Sequence, residues 1–200
     1  MASWPTAVDL FSGLGGMTLG LRKARFRVVA AAEVNPLAAK TYKDNFPKIA
    51  QFGDITEVSG ADILARAGIR RGGLDLLAGC PPCQGFSSIR TRNAPEAAKD
   101  PRNDLILEFL RVVEEVFPRT VIMENVPELA SDWRFERLCS TLEDRGYSVA
   151  SSVLDAVSFG VPQHRRRLIL FASRICEPRI PDGTDRERTV REVIAELREA

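Results

Sequence analysis

An apolar run closed by a glycine and two prolines constrains this chain more than any other feature. Leu74-Asp-Leu-Leu-Ala78 reads as a buried parallel strand, and Gly79 ends it. Pro81 and Pro82 forbid both helix and ladder, so the backbone must turn out at the strand's carboxyl end. In open α/β sheets that edge is where ligands bind and chemistry is done. Cys83 sits on this stiff turn, within Gly79-Cys-Pro-Pro-Cys-Gln-Gly-Phe-Ser87, and is placed like a nucleophile. A closed zinc site would need two more ligands beside Cys80 and Cys83. Cys139 and Cys176 stand alone, His164 is the single histidine, and no metal site is expected. A thioredoxin-type pair belongs at a helix N-terminus, whereas Gln84-Gly-Phe-Ser87 follows here.

The first half of the chain points to the same edge. Thr6 to Phe11 is a short strand followed by Ser12-Gly13-Leu14-Gly15-Gly16 and by a helix from Met17 to about Ala24. It departs from the dinucleotide fingerprint, because Thr18 holds the third glycine position. A tight turn alone would explain the glycines. A second strand, Phe26 to Val34, carries Glu33 at its end, where an acid commonly meets ribose hydroxyls. Asn35-Pro36 opens a helix to about Asn45. Ile49 to Phe52 is a brief third strand, followed by Gly53-Asp54-Ile55. Either acid alone reads as a solvated loop carboxylate. Both acids with the glycine turn on one rim point to a ligand.

After a short helix over 62–67, the strand at Leu74 and its loop, the chain from Ser87 to Arg102 is polar and basic, with Arg90, Arg92, Lys99 and Arg102. Such a loop beside a candidate nucleophile reads as a lid over an anionic substrate, the plain alternative being a solvated loop. Leu105, Ile106, Phe109, Leu110, Val113 and Phe117 recur at helical spacing, with Asp104 as the cap and Pro118 as the stop. Thr120 to Met123 is a buried strand that delivers Glu124-Asn125-Val126-Pro127 to the rim. A carboxyl beside apolar neighbours is placed to hold a proton near neutral pH. A helix from Ser131/Asp132 to Arg145 ends at Gly146. Strands follow over 147–154 and 167–173. Between them, Gln163, Arg165 and Arg167 would share one face of an extended segment as an anion clamp, or form a solvated charge run. His164 points the other way and reads as exposed or capping.

Composition bounds the rest. Two hundred residues, 44% hydrophobic and 28% charged, suit one α/β globular domain. Residues 1–188 read as the catalytic unit and 189–200 as a further amphipathic helix. A net charge of +1 gives no bulk electrostatic sign of a nucleic-acid partner. No apolar run is long enough for a bilayer and the start lacks signal-peptide regions, which implies a reducing cytosol, no membrane and no disulfide framework.

Together these motifs resemble the cytosine-C5 DNA methyltransferase family, from Asp9 to about Leu170 and in the family's order. The resemblance implies a Rossmann-like methyltransferase fold, a mostly parallel sheet with helices on both faces, and S-adenosylmethionine as cofactor. It implies that Phe11, Gly13, Leu14, Gly15 and Gly16 hold the methionine part, Glu33 with Val34 the ribose, and Asp54 with Ile55 the adenine. Pro82 and Leu105 would line the same pocket. Cys83 is then the nucleophile, Glu124 grips the target cytosine, Arg167 reaches the base's O2 and Arg165 supports the backbone. Gln84, Ser87, Arg102, Asn125, Val126 and Gln163 fall among the substrate-binding residues. The partner implied is double-stranded DNA with a flipped cytosine, in a bacterial, nucleoid-associated setting such as restriction-modification.

Family members continue into a recognition domain and a last asparagine-containing motif, and nothing after Thr189 resembles either. The implied reading is one subunit of a two-chain enzyme, an excised piece, or a chain acting alone in a reduced role. Weak cofactor binding and little DNA affinity are expected of it alone. Methylation of tRNA and a non-catalytic remnant of the family remain as rival functions.

Overall fold

In the computed structural model, residues 4–82, 104–184 and 187–195 are described. Seven strands form one sheet in the order β3-β2-β1-β4-β5-β7-β6. They are β1 (Thr6–Leu10), β2 (Arg27–Ala32), β3 (Ala50–Phe52), β4 (Leu76–Gly79), β5 (Thr120–Asn125), β6 (Ser148–Asp155) and β7 (Arg166–Ser173). β1 to β5 pair in parallel, whereas β7 runs antiparallel between β5 and β6.

Among the described residues, five α-helices cover the sheet, α1 (Gly16–Lys23), α2 (Pro36–Asn45), α3 (Gly60–Ala67), α4 (Leu105–Val116) and α5 (Trp133–Asp144), and a short exposed α6 (Val190–Ile194) follows. Strand alternation divides the core into two layers. Val8, Leu10, Ala30, Ala32 and Leu77 face α3, α4 and α5. Ala7, Ala31, Leu76 and Ala78 face Leu21 of α1 and Tyr42 of α2. Both faces are therefore buried, which is why the strands read as continuous apolar runs.

Local signals set most helix ends. Asn35 accepts from Leu37 N and Ala38 N with Pro36 at the first position, Ser59 and Asp62 form a capping box, and Asp132 caps α5. Asp104 differs from the sequence expectation. It precedes α4, but its side chain makes no capping bond; Oδ1 accepts from Arg134 Nε at 2.7 Å instead. A charged fork competes better for a carboxylate than a backbone N–H does.

Parallel strands put the ends of β1 to β5 on one rim. Because β7 runs the other way, its beginning lies there too: Leu168 pairs with Asn125 and Ile169 with Glu124.

Candidate active site

Phe11 follows β1 with φ of 57°, a left-handed conformation, and the chain turns through Ser12 to Gly15 into α1. Gly15 has φ of 99°, and a Cβ there would run into the Phe46 ring. On Gly13 and Gly16 a Cβ would meet nothing within 4 Å, so the space over the turn is open to a ligand. Glu33 holds the turn in place. Its Oε2 accepts from Gly13 N and its Oε1 from Asn35 N, both at 2.8 Å. Each oxygen retains a second lone pair. Asp54 Oδ1 accepts from Thr56 N at 2.9 Å and from Thr56 Oγ1 at 2.8 Å. Leu14 and Val34 stand 64% and 65% exposed on this rim, an apolar edge open to a ligand. Ile55 is buried in the core, and Leu105 and Pro82 are half-buried. Buried Ser12 Oγ has no partner among the described residues. Open space over the glycines, unspent carboxylate lone pairs and this orphan hydroxyl fit a nucleoside-type ligand bearing hydroxyl and amino groups.

Beneath the turn lies Asp9, the first residue of the glycine motif, to which the sequence assigns no role of its own. Asp9 is fully buried on the α1/α2 face, and Oδ2 accepts from Thr18 Oγ1 at 2.6 Å. Thr18 Oγ1 lies 2.7 Å from Tyr42 Oη, and Asp9 Oδ1 has no partner among the described residues. Burial raises the carboxyl to about 6; Thr18 opposes the rise and the Glu33 charge adds to it. In the unfolded chain an aspartate titrates near 3.9. Between these values the folded state binds more protons, so stability falls as pH rises from about 4 to 6 and the penalty is full above 6. A shift of this size corresponds to about 2–3 kcal/mol. Asp62, Asp75 and Asp155, held below the usual range by hydrogen bonds, act in the opposite sense and at lower pH. Denaturant midpoints are therefore expected to drop between pH 4 and 6, and Asp9→Asn should flatten that slope. An unchanged slope in the variant would remove Asp9 as its source.

From a buried position at the end of β5, Asn125 Nδ2 donates to Pro81 O, just past β4, at 3.0 Å, and Asn125 Oδ1 accepts from Val126 N at 2.8 Å. These bonds fasten the Pro81-Pro82 turn to β5. Burial, followed by the charges of Glu124 and Asp9, pushes the Cys80 thiol far above its ordinary range. It remains a thiol and is a poor nucleophile.

Glu124 Oε1 and Arg167 Nε lie 2.9 Å apart, with both side chains about a quarter exposed. Along the chain Glu124 has apolar neighbours, Val126 and Pro127; across the sheet the antiparallel β7 sets a guanidinium against it. Arg165 and Gln163 are exposed. The strand starts only at Arg166, so the expected shared face does not extend back to Gln163. His164 is exposed, and its Nδ1 lies 3.2 Å from Asp155 Oδ2. Cys83, Gln84, Ser87, Arg102 and the expected lid lie outside the described residues. Asp104, which follows them, is held by Arg134, whose other partner is Asp132. An acid inside an apolar strand was the signal that could have singled out Asp9; the Asp104–Arg134 pair had none.

Comparison with known proteins gives one consistent picture. A sequence model described as C-5 cytosine-specific DNA methylase matches residues 6–197. The Type II methyltransferase M.XorII of Xanthomonas oryzae is 38% identical over 98% of this chain and 47% of its own length. M.AquIA of Picosynechococcus is 36% identical over 84% of this chain and 71% of its own. A solved structure described as a DNA modification methyltransferase encoded within an E. coli prophage superposes with a TM-score of 0.77 at 26% identity. It covers 98% of this chain and 56% of that one. The chain thus spans about half the length of M.XorII and of that solved relative.

Proposed function

This chain belongs to the C-5 cytosine-specific DNA methylase family, and from that premise we propose that it is the catalytic part of a DNA (cytosine-5) methyltransferase. The Glu124–Arg167 pair, on the rim beside the turn that leads to Cys83, supports this reading most. A carboxyl and a guanidinium together match the polar edge of a cytosine.

Cytosine C5 is too weak a nucleophile to take a methyl group unaided. In this reading the Cys83 thiolate forms a bond to C6, and the C5–C6 π pair moves onto C5 and toward N3. Glu124 hydrogen-bonds N3 and the 4-amino group, and Arg167 holds O2, so charge develops against fixed partners. S-adenosylmethionine supplies the methyl group as an electrophile at a sulfonium. Loss of the C5 proton to a base and departure of Cys83 from C6 restore the ring. The target must leave the helical stack to be reached.

Phe11, the glycine turn, Glu33, Val34, Asp54 and Ile55 would hold the cofactor, with Pro82 and Leu105 at its side. Gln84, Ser87, Arg102, Val126, Gln163 and Arg165 would hold the nucleic acid, whereas Asn125, buried and bonded to Pro81 O, positions the turn instead. Residues 1–188 are read as the catalytic unit. Residues 189–200 are read as a segment distinct from that unit. No helix among the described residues is long and apolar enough to cross a membrane.

DNA carrying 5-fluorocytosine tests this, because fluorine at C5 cannot leave as the proton does. With S-adenosylmethionine it is expected to yield an adduct stable to denaturation, and Cys83→Ser to abolish it. An adduct that persists in Cys83→Ser would overturn the nucleophile assignment. Adduct formation on 5-fluorocytosine-substituted tRNA but not on DNA would move the substrate to RNA.

A further inference from the structure

A groove of about 990 Å³ opens at the other end of the sheet. Its wall includes Arg27, which starts β2, and Lys48 and Ile49, which precede β3. It therefore lies at the amino ends of these strands. Along β2, from Arg27 to the rim, the rise is roughly 17 Å at about 3.3 Å per residue. A base held by Glu124 and Arg167 would not reach it.

Four cations line the groove: Arg22 at the end of α1, Arg27, Lys48 and Arg66 at the end of α3. Among the described residues no carboxylate lines it, and none of the four is ion-paired. For a chain of net charge +1 this is a local concentration of unspent positive charge. Aromatic surface accompanies it. Trp4 is 53% exposed, Phe26 is half-buried, and the Arg22 guanidinium lies 5.6 Å from the Phe46 ring centroid. The floor is apolar, with Val28 and Ile49 buried.

We propose that this groove binds nucleotides, with the base against Trp4 and Phe26 and the phosphates against Arg22, Arg27, Lys48 and Arg66. Two features favour this over an acidic peptide. Three of the four cations are arginines, whose planar forks match phosphate oxygens. The exposed aromatic surface offers a stacking face, for which a base has a partner and a glutamate does not. The groove's size, near the upper end of about 1,000 Å³ for small-ligand sites, admits a free nucleotide or a short run of single-stranded nucleic acid.

The test uses a Trp133→Phe background, which leaves Trp4 as the sole tryptophan reporter. ATP and CTP form one arm, an unstructured dT6 oligonucleotide the second, and hexaglutamate the control. Quenching of Trp4 by either nucleotide arm but not by hexaglutamate is expected. If dT6 is the ligand, four phosphate contacts give a salt slope of about −3. Arg22→Glu with Arg66→Glu should weaken binding at least tenfold. Lys48→Glu alone, exposed and remote from the core, should weaken it severalfold should the double variant fold poorly. No quenching in either arm, equal binding of hexaglutamate, or binding lost in Arg167→Ala and kept in the groove variants would each overturn the proposal. None of these outcomes depends on methyl transfer, so the fluorocytosine trap can fail or succeed independently.

Discussion

Replacing Arg167 by alanine is expected to slow methyl transfer about 100–1,000-fold, the loss typical of one preorganised donor at a developing charge. Folding stability should change by about 1–2 kcal/mol, because the pair is mostly buried yet both side chains keep some contact with solvent. The two readouts separate a residue that touches substrate from one that props up the strand. Glu124→Gln extends the test. If the pair grips one base as a unit, the double variant should lose little more than the worse single variant. Rates are read from methyl incorporation into DNA or from the speed of fluorocytosine trapping. A large stability loss with an unchanged rate would recast the pair as structural.

Gly79→Ala is expected to cost about 2–3 kcal/mol, the usual range for overpacking a filled core. A Cβ at Gly79 would lie 2.6 and 2.8 Å from two ring carbons of Phe109 and 3.3 Å from Leu10 O. Phe109 is fully buried in α4 and has nowhere to swing. At this chain length the melting temperature should fall by roughly 5–10 °C. Trimming the obstacle provides the check: in a Phe109→Leu background, Gly79→Ala should cost clearly less than alone. Strict additivity would show that the ring is not what requires the glycine. Because Gly79 leads into Pro81, any strain that is not relaxed would also shift the turn that Asn125 fastens to β5.

Most elements were legible because their signals are local. β1 to β5 were readable as apolar runs closed within three residues by Gly or Asn, and α2, α3 and α5 carry caps within three residues of their starts. Glu33 and Asp54 were placed on the glycine rim by strand ends alone, and the Gly13–Glu33 hydrogen bond agrees with that placement. Asp104 was misjudged as a capping side chain because its rival, Arg134, comes from a helix 30 residues on.

What the sequence by itself determined is the set of strand ends that meet at one edge. Apolar periodicity, glycine freedom and proline stops act within a few residues, so they are written in the order of the chain. Only the tertiary structure decided which strand ends become neighbours. β7 enters between β5 and β6 in the opposite direction, and that reversal carries the start of the strand to the rim and puts Arg167 against Glu124. The burial of Asp9 beneath the glycine turn, the Asn125 tie to Pro81 and the cationic groove at the far edge have the same origin. Each depends on the register between distant segments, which sequence spacing along one segment does not encode.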